Sequence, residues 1–162
     1  SAASDVYKRQ KYWIEYICKR FENTGKHISP ELAEEICRLV DNHSSYVQQL
    51  SWLLWIRTIN TATTEQLSYA LEDLLDQNNI LFQSETENLS AYQMNFLKAI
   101  VDGIHTKFSS KEVISKYNLG TSANIVRLKN ALLQKELIET NGKEIVLADP
   151  VFGVWFKKEM LY

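Results

Sequence analysis

Proline and glycine are scarce in this sequence, with two Pro and five Gly in 162 residues. Many-stranded folds turn on those residues, so the shortage favours helices joined by short turns. Two cysteines, Cys18 and Cys37, are too few for a disulfide framework. Each falls in an apolar helical pattern and is expected to be a reduced, buried thiol of a cytoplasmic protein. No run of about 18 apolar residues exists, so no membrane span is expected. Residues 1–10 hold no apolar stretch of the kind a secretory leader carries, and they are set aside from the fold reading.

The usual catalytic patterns are missing too. Phosphate loops need glycines that let backbone amides approach a phosphate. The one Gly-Lys pair, Gly25-Lys26, is followed by His27 rather than Ser or Thr, and Arg20 stands where the earlier glycine belongs. A helix stop followed by a polar turn explains it. His27, His43 and His105 are far apart and have no local ligand set, so no metal site is expected. Neither a Gly-x-Ser-x-Gly elbow nor a His-Glu-x-x-His helix occurs. Glu31, Glu34 and Glu35 read as a solvated helix face. Trp13, Trp52 and Trp55 fall in helical stripes and read as bundle core before ligand box. No catalytic residue is assigned.

Hydrophobic residues make up 45% of the chain, enough for a buried core. The net charge of −2 hides an asymmetry. Residues 1–89 hold 8 Lys and Arg against 13 Asp and Glu, a balance of −5, and residues 90–162 hold 10 against 7, a balance of +3. The second half is mildly basic, short of a strong nucleic-acid footprint.

Helix periods and caps organise the first half. Trp13, Ile17 and Phe21 share a face, and Gly25 stops that helix. Ser29 caps a second helix with Pro30 in its first turn and Leu32, Ala33, Ile36, Cys37 and Val40 as its buried stripe. After Asn42-His43-Ser44-Ser45, the segment Tyr46 to Ile56 is apolar nearly all round and is expected to be the most enclosed helix. Thr63 with Gln66 forms a capping box for a fourth helix carrying Leu67, Leu71, Leu74 and Leu75. The polar stretch Gln83 to Asn88 is the expected boundary, giving a helical bundle over 11–88 and a second domain over 89–162.

That second domain has the order helix, short arm, helix, turn, helix, hairpin. Ser90 with Gln93 opens a helix ended by Gly103, and Thr106-Lys107-Phe108 is a short arm. Ser109 with Glu112 opens a short helix, and Asn118-Leu119-Gly120 makes the turn. Thr121 or Ser122 then caps a helix carrying Ile125, Leu128 and Leu132. Asn141-Gly142 between two apolar runs predicts a hairpin with positive φ at both central residues. The fold expected is mainly α, a helical bundle followed by a winged helix-turn-helix with a small β-hairpin wing.

In such a fold the helix after the turn enters the DNA major groove. With the apolar stripe inward, steps of about 100° put Ala123, Val126, Arg127, Asn130 and Gln134 outward, with Ser122, Asn124 and Lys129 at the margins. Arg127 and Asn130 have bidentate geometry for base edges. Lys129 and, at the wing tip, Lys143 are candidate phosphate contacts. Double-stranded DNA or a partner protein is the expected ligand of this face.

Lys11-Tyr12-Trp13-Ile14-Glu15-Tyr16-Ile17, Arg20-Phe21, Thr24-Gly25-Lys26, Ile28 and Asn42 through Leu50, together with Asp149 through Phe156, resemble the C-terminal part of archaeal-type P-loop ATPases related to the AAA+ and STAND groups. The resemblance implies an N-terminal ATP- and Mg-binding core outside this sequence, followed by a helical lid and a winged helix. It also implies that Asn42 and His43 face nucleotide in the longer protein. Ser44 stands where the family usually has Pro, a departure at that contact. The chain is thus expected to need no cofactor of its own and to act as a non-catalytic lid and output module beside its P-loop core. The alternatives are a free-standing winged-helix transcription regulator whose helical half dimerises, and a protein-interaction module.

Overall fold

The strongest local signals, side-chain caps and left-handed glycines, set the helix ends. A computed structural model describes residues 1–161. It divides into two compact units, Ser1–Asn78 and Asn79–Tyr162.

The first unit contains α1 (Ala2–Asn23), α2 (Pro30–Leu39), α3 (Ser44–Arg57) and the opening turns of α4 (Thr64–Glu87). Gly25 follows α1 at φ +78, a conformation open to glycine at little cost. Ser29 accepts from the Leu32 amide at 3.1 Å, with Pro30 at the first turn of α2. Gln66 and Thr63 exchange both capping-box bonds, at 3.1 and 3.2 Å. Trp13, Ile17 and Phe21 of α1 lie in the core with Ile36, Cys37, Leu50 and Leu54. Lys26 ties the helix ends together. Its ammonium donates to the Trp55 carbonyl at 2.7 Å and lies 3.8 Å from the centroid of the Trp55 ring, whose Nε1 donates to Thr24.

Two expectations fail in this unit. α3 is not fully enclosed: it buries Val47, Leu50, Leu53 and Leu54, but Trp52 is 59% and Ile56 51% exposed. Apolar composition alone did not reveal that one face lacks a neighbour. Cys37 is buried, with its thiol pushed up to about 11 by desolvation, whereas Cys18 is only half-buried, its thiol 3.8 Å from the Ile28 carbonyl oxygen.

The second unit holds the last turns of α4, then α5 (Ala91–Val101), α6 (Lys111–Tyr117), α7 (Ser122–Gln134), β1 (Ile138–Asn141), β2 (Glu144–Leu147) and α8 (Pro150–Met160). The units divide ahead of the boundary expected at 88/89. The polar stretch from Gln83 to Glu87 continues α4 because Phe82 and Thr86, one turn apart, are buried. Phe82 meets Phe152 edge-on at 5.4 Å between centroids and Trp155 at 5.6 Å, and the Trp155 Nε1 donates to Asn79 at 2.8 Å. Phe96 and Phe108 stack at 4.5 Å. Ser90 and Gln93 form the expected capping box, but α6 is capped by Ser110 rather than Ser109.

β1 and β2 are antiparallel, with Ile138 opposite Leu147 and Asn141 opposite Glu144. Asn141 therefore ends a strand, and Gly142 and Lys143 are the central turn residues. Only Gly142 has positive φ, +63, so the turn follows the II′ pattern rather than the expected I′ pattern. Ile145 pairs on its other side with the arm before α6: its amide donates to the His105 carbonyl at 2.9 Å, and the His105 Nδ1 lies 3.0 Å from its carbonyl oxygen. A carbonyl only accepts, so the proton sits on Nδ1.

Candidate nucleic-acid interface

The helix that would carry readout, α7, is fixed from below by Ile125, Leu128 and Leu132, all buried. Each contributes about 1.5–3 kcal/mol on burial, enough to hold the opposite face rigid. Its entry is fixed by the turn. Asn118 takes a left-handed conformation at φ 54, Leu119 is fully buried, and Gly120 sits at φ +87. Two side-chain amides brace this turn. Asn95 of α5 donates to the Asn118 carbonyl at 3.1 Å, and Asn124 of α7 donates to the Leu119 carbonyl at 3.1 Å.

The sequence-derived residues therefore separate. Ser122, Arg127 and Asn130 are exposed on α7, and none of them has an ion pair or side-chain hydrogen bond among the described residues. Lys129 is half-buried at the margin. Asn124 is half-buried and its amide is committed to the turn, so it braces the fold rather than pointing its donor outward. Between them, Val126 is 63% exposed, an apolar group in the middle of the outward face.

The start of α7 also forms a shallow cleft of about 230 Å³ lined by Tyr92, Gly120, Thr121, Ala123, Asn124 and Arg127. Thr121 precedes the first turn without a side-chain cap bond, and Arg127 lines the same cleft. Amides at a helix start together with a guanidinium favour an anion. Tyr92, 43% exposed at the opening of α5, was not found from the sequence, where nothing in its spacing distinguishes it from a surface aromatic.

At the wing, Lys143 is exposed at the hairpin tip, but Glu139 and Glu144 are exposed on the same hairpin. Counted over the unit as it folds, residues 79–162, Lys and Arg number 10 and Asp and Glu 9, a balance of +1.

Asn42 and His43 sit in a strained turn of the first unit, where Asp41 and Asn42 both have positive φ, 50 and 56. His43 is exposed, makes no side-chain cap bond, and its ring is tilted at 45° to that of Tyr46, 4.9 Å between centroids. The Asn42 Oδ1 is enclosed and has no hydrogen-bond partner. The two residues thus differ: the imidazole is available to a ligand, the amide oxygen is turned inward. Among the described residues no group of three or more His, Cys, Asp or Glu is placed to hold a metal, and no helix is long and apolar enough to cross a membrane.

Residues 80–158 match a family described as "Probable winged helix domain". No curated protein matches the chain. A solved structure of a Walker-type ATPase from Pyrococcus abyssi is similar over 90% of this chain, with 19% identity and a TM-score of 0.66. The chain spans 41% of the length of that structure. The unit that follows Asn78 is a winged helix, with α6 and α7 as its helix-turn-helix and the β1–β2 hairpin as its wing.

Proposed function

We propose that this chain is the lid and winged-helix portion of a P-loop ATPase and acts as its output module, contacting double-stranded DNA through α7. The observation that carries the reading is the likeness to a Walker-type ATPase, which extends over 90% of the chain and so takes in both units rather than the winged helix alone. The quoted resemblance to archaeal-type ATPases of the AAA+ and STAND kind supports the same assignment. ATP and Mg would belong to a core outside this sequence, and the chain alone neither binds nor hydrolyses ATP. Calorimetric titration with MgATP checks this, and micromolar binding to the chain would refute it. The exposed His43 would face nucleotide only when joined to that core.

For the DNA contact, Arg127 and Asn130 read bases, while Ser122, Lys129 and Lys143 contact the backbone. The test is fluorescence anisotropy on labelled random duplex at two salt concentrations. Removing Arg127 should cost about 1–3 kcal/mol concentrated at one base position, and removing Lys143 should flatten the salt slope by about one unit. Binding that is unchanged in both variants would mean that another surface is used. A second reading has its own support: exposed Val126 and a nearly neutral wing suit a protein contact. Absence of salt-dependent binding would favour it.

A further inference from the structure

Carboxylates are spread unevenly over the second unit. They fall on α4, α6, the hairpin, α8 and the connections Asp102, Glu136 and Asp149. None falls on α5 or α7, or on the turn 118–121, whereas α5 and α7 carry Lys98, Arg127 and Lys129. The two helices pack together, and their first turns meet at the cleft that holds Tyr92 and Arg127, which no carboxylate lines.

Tyr92 is the unusual member of that cleft. Every other Phe, Tyr and Trp among the described residues of the unit is buried, while Tyr92 is 43% exposed. Its ring lies against Gly120: a Cβ there would stand 3.4 Å from the hydroxyl-bearing ring carbon. The hydroxyl end of the ring is thus at the turn itself, and the hydroxyl has no hydrogen-bond partner among the described residues. Its helix is fixed on both sides, by the Ser90–Gln93 capping box and by the Asn95 amide on the Asn118 carbonyl. A donor held in place, unused by the chain and surrounded by cations suits an anion.

The cleft also limits what that anion is. About 230 Å³ is below the roughly 300–1,000 Å³ of sites that enclose a small molecule. An extended polyanion lying across the surface fits better. In a helix-turn-helix the helix after the turn enters the groove, and elements beside it meet the backbone, where Tyr side chains serve as phosphate donors. We infer that the Tyr92 hydroxyl donates to a backbone phosphate of the duplex, beside the base edge that Arg127 reads. The inference rests on the reading that α7 contacts duplex DNA, and it adds α5 to the contact surface.

Tyr92→Phe tests it, because the ring stays against Gly120 and only the hydroxyl is lost. Anisotropy on a panel of labelled duplexes should show affinity falling by about three- to tenfold on every sequence. The salt slope should not change, since a neutral donor displaces no counterion. The melting midpoint should also hold. Parent-like affinity in Tyr92→Phe, with Arg127→Ala still losing affinity at one base position, would overturn the inference and leave the α7 reading standing. No duplex binding by the parent chain would sink both. A loss confined to one base pair would mean a base contact and refute the phosphate assignment. Labelled poly-glutamate binding as tightly as duplex, with the same loss in Tyr92→Phe, would also overturn it and assign the surface to an acidic protein.

Discussion

Replacing Asn124 by Ala separates two roles that neighbouring residues of α7 were expected to share. Its amide donates to the Leu119 carbonyl at 3.1 Å, and the Leu119 side chain is fully buried. Losing one such bond costs about 0.5–1.5 kcal/mol, and up to about 3 if the carbonyl is left without a donor. A domain of the size of residues 79–162 shifts its melting midpoint by about 4–8 °C per kcal/mol. A loss of about 1 kcal/mol should therefore lower the midpoint by that amount. Arg127 is exposed and has no ion pair among the described residues, so Arg127→Ala should leave the midpoint nearly unchanged. On duplex DNA the order reverses: Arg127→Ala should lose affinity at one base position, while Asn124→Ala weakens all sequences alike. Calorimetric melting and anisotropy on a panel of single-base variants measure both. If Asn124→Ala melts like the parent and loses affinity at one base pair only, the turn-brace assignment is wrong.

Three further outcomes follow from the same geometry. Gly120→Ala should destabilise by about 1–3 kcal/mol, because φ is +87 and a Cβ would stand 3.2 Å from the Asn124 amide and 3.4 Å from the Tyr92 ring; an unchanged urea midpoint would contradict it. Burial and the nearby Asp149 carboxylate hold the Glu85 carboxyl above its ordinary range. Since its folded pKa is raised, ionised Glu85 opposes folding: stability should fall as pH rises through that pKa, and Glu85→Gln should be the more stable form at neutral pH but not in acid. With burial pushing the Cys37 thiol to about 11, a thiol reagent at neutral pH should leave Cys37 unmodified in the folded chain and label Cys18 faster; equal rates by peptide mapping would refute this.

The helical elements were legible where the chemistry is local. Capping boxes at Thr63 and Ser90 and the stop at Gly25 need only residues within one turn, and the sequence displays them directly. α8 was equally legible but was not read as a helix: Asp149 accepts from the Val151 and Phe152 amides, Pro150 follows it, and Val151, Phe152, Trp155 and Phe156 make a buried stripe. What the sequence could not reveal depends on partners far along the chain. The continuation of α4 through Glu87 rests on Phe82 reaching Phe152, and the exposure of Trp52 rests on which helices happen to flank α3. Asn124 misleads for the same reason, since its helical angle is that of a margin residue while its amide has a carbonyl within reach across the turn.

The wing shows how a small register difference bears on function. With Asn141 opposite Glu144, the tip is Gly142-Lys143, and the carboxylate of Glu144 is attached to the residue beside the one tip amine. Glu139 is exposed on the facing strand. Phosphate contacts depend on uncompensated cations, since the free energy comes from releasing the counterions of the nucleic acid. Lys143 is offset by its own hairpin, and the unit's balance of +1 adds little long-range attraction. Any DNA affinity of this winged helix must then rest chiefly on the α7 face and its amide-and-Arg127 cleft, with the wing adding the one phosphate contact of Lys143. Binding carried by that cleft would have a shallow salt dependence, and tight sequence-independent binding is the property this surface is least equipped to supply.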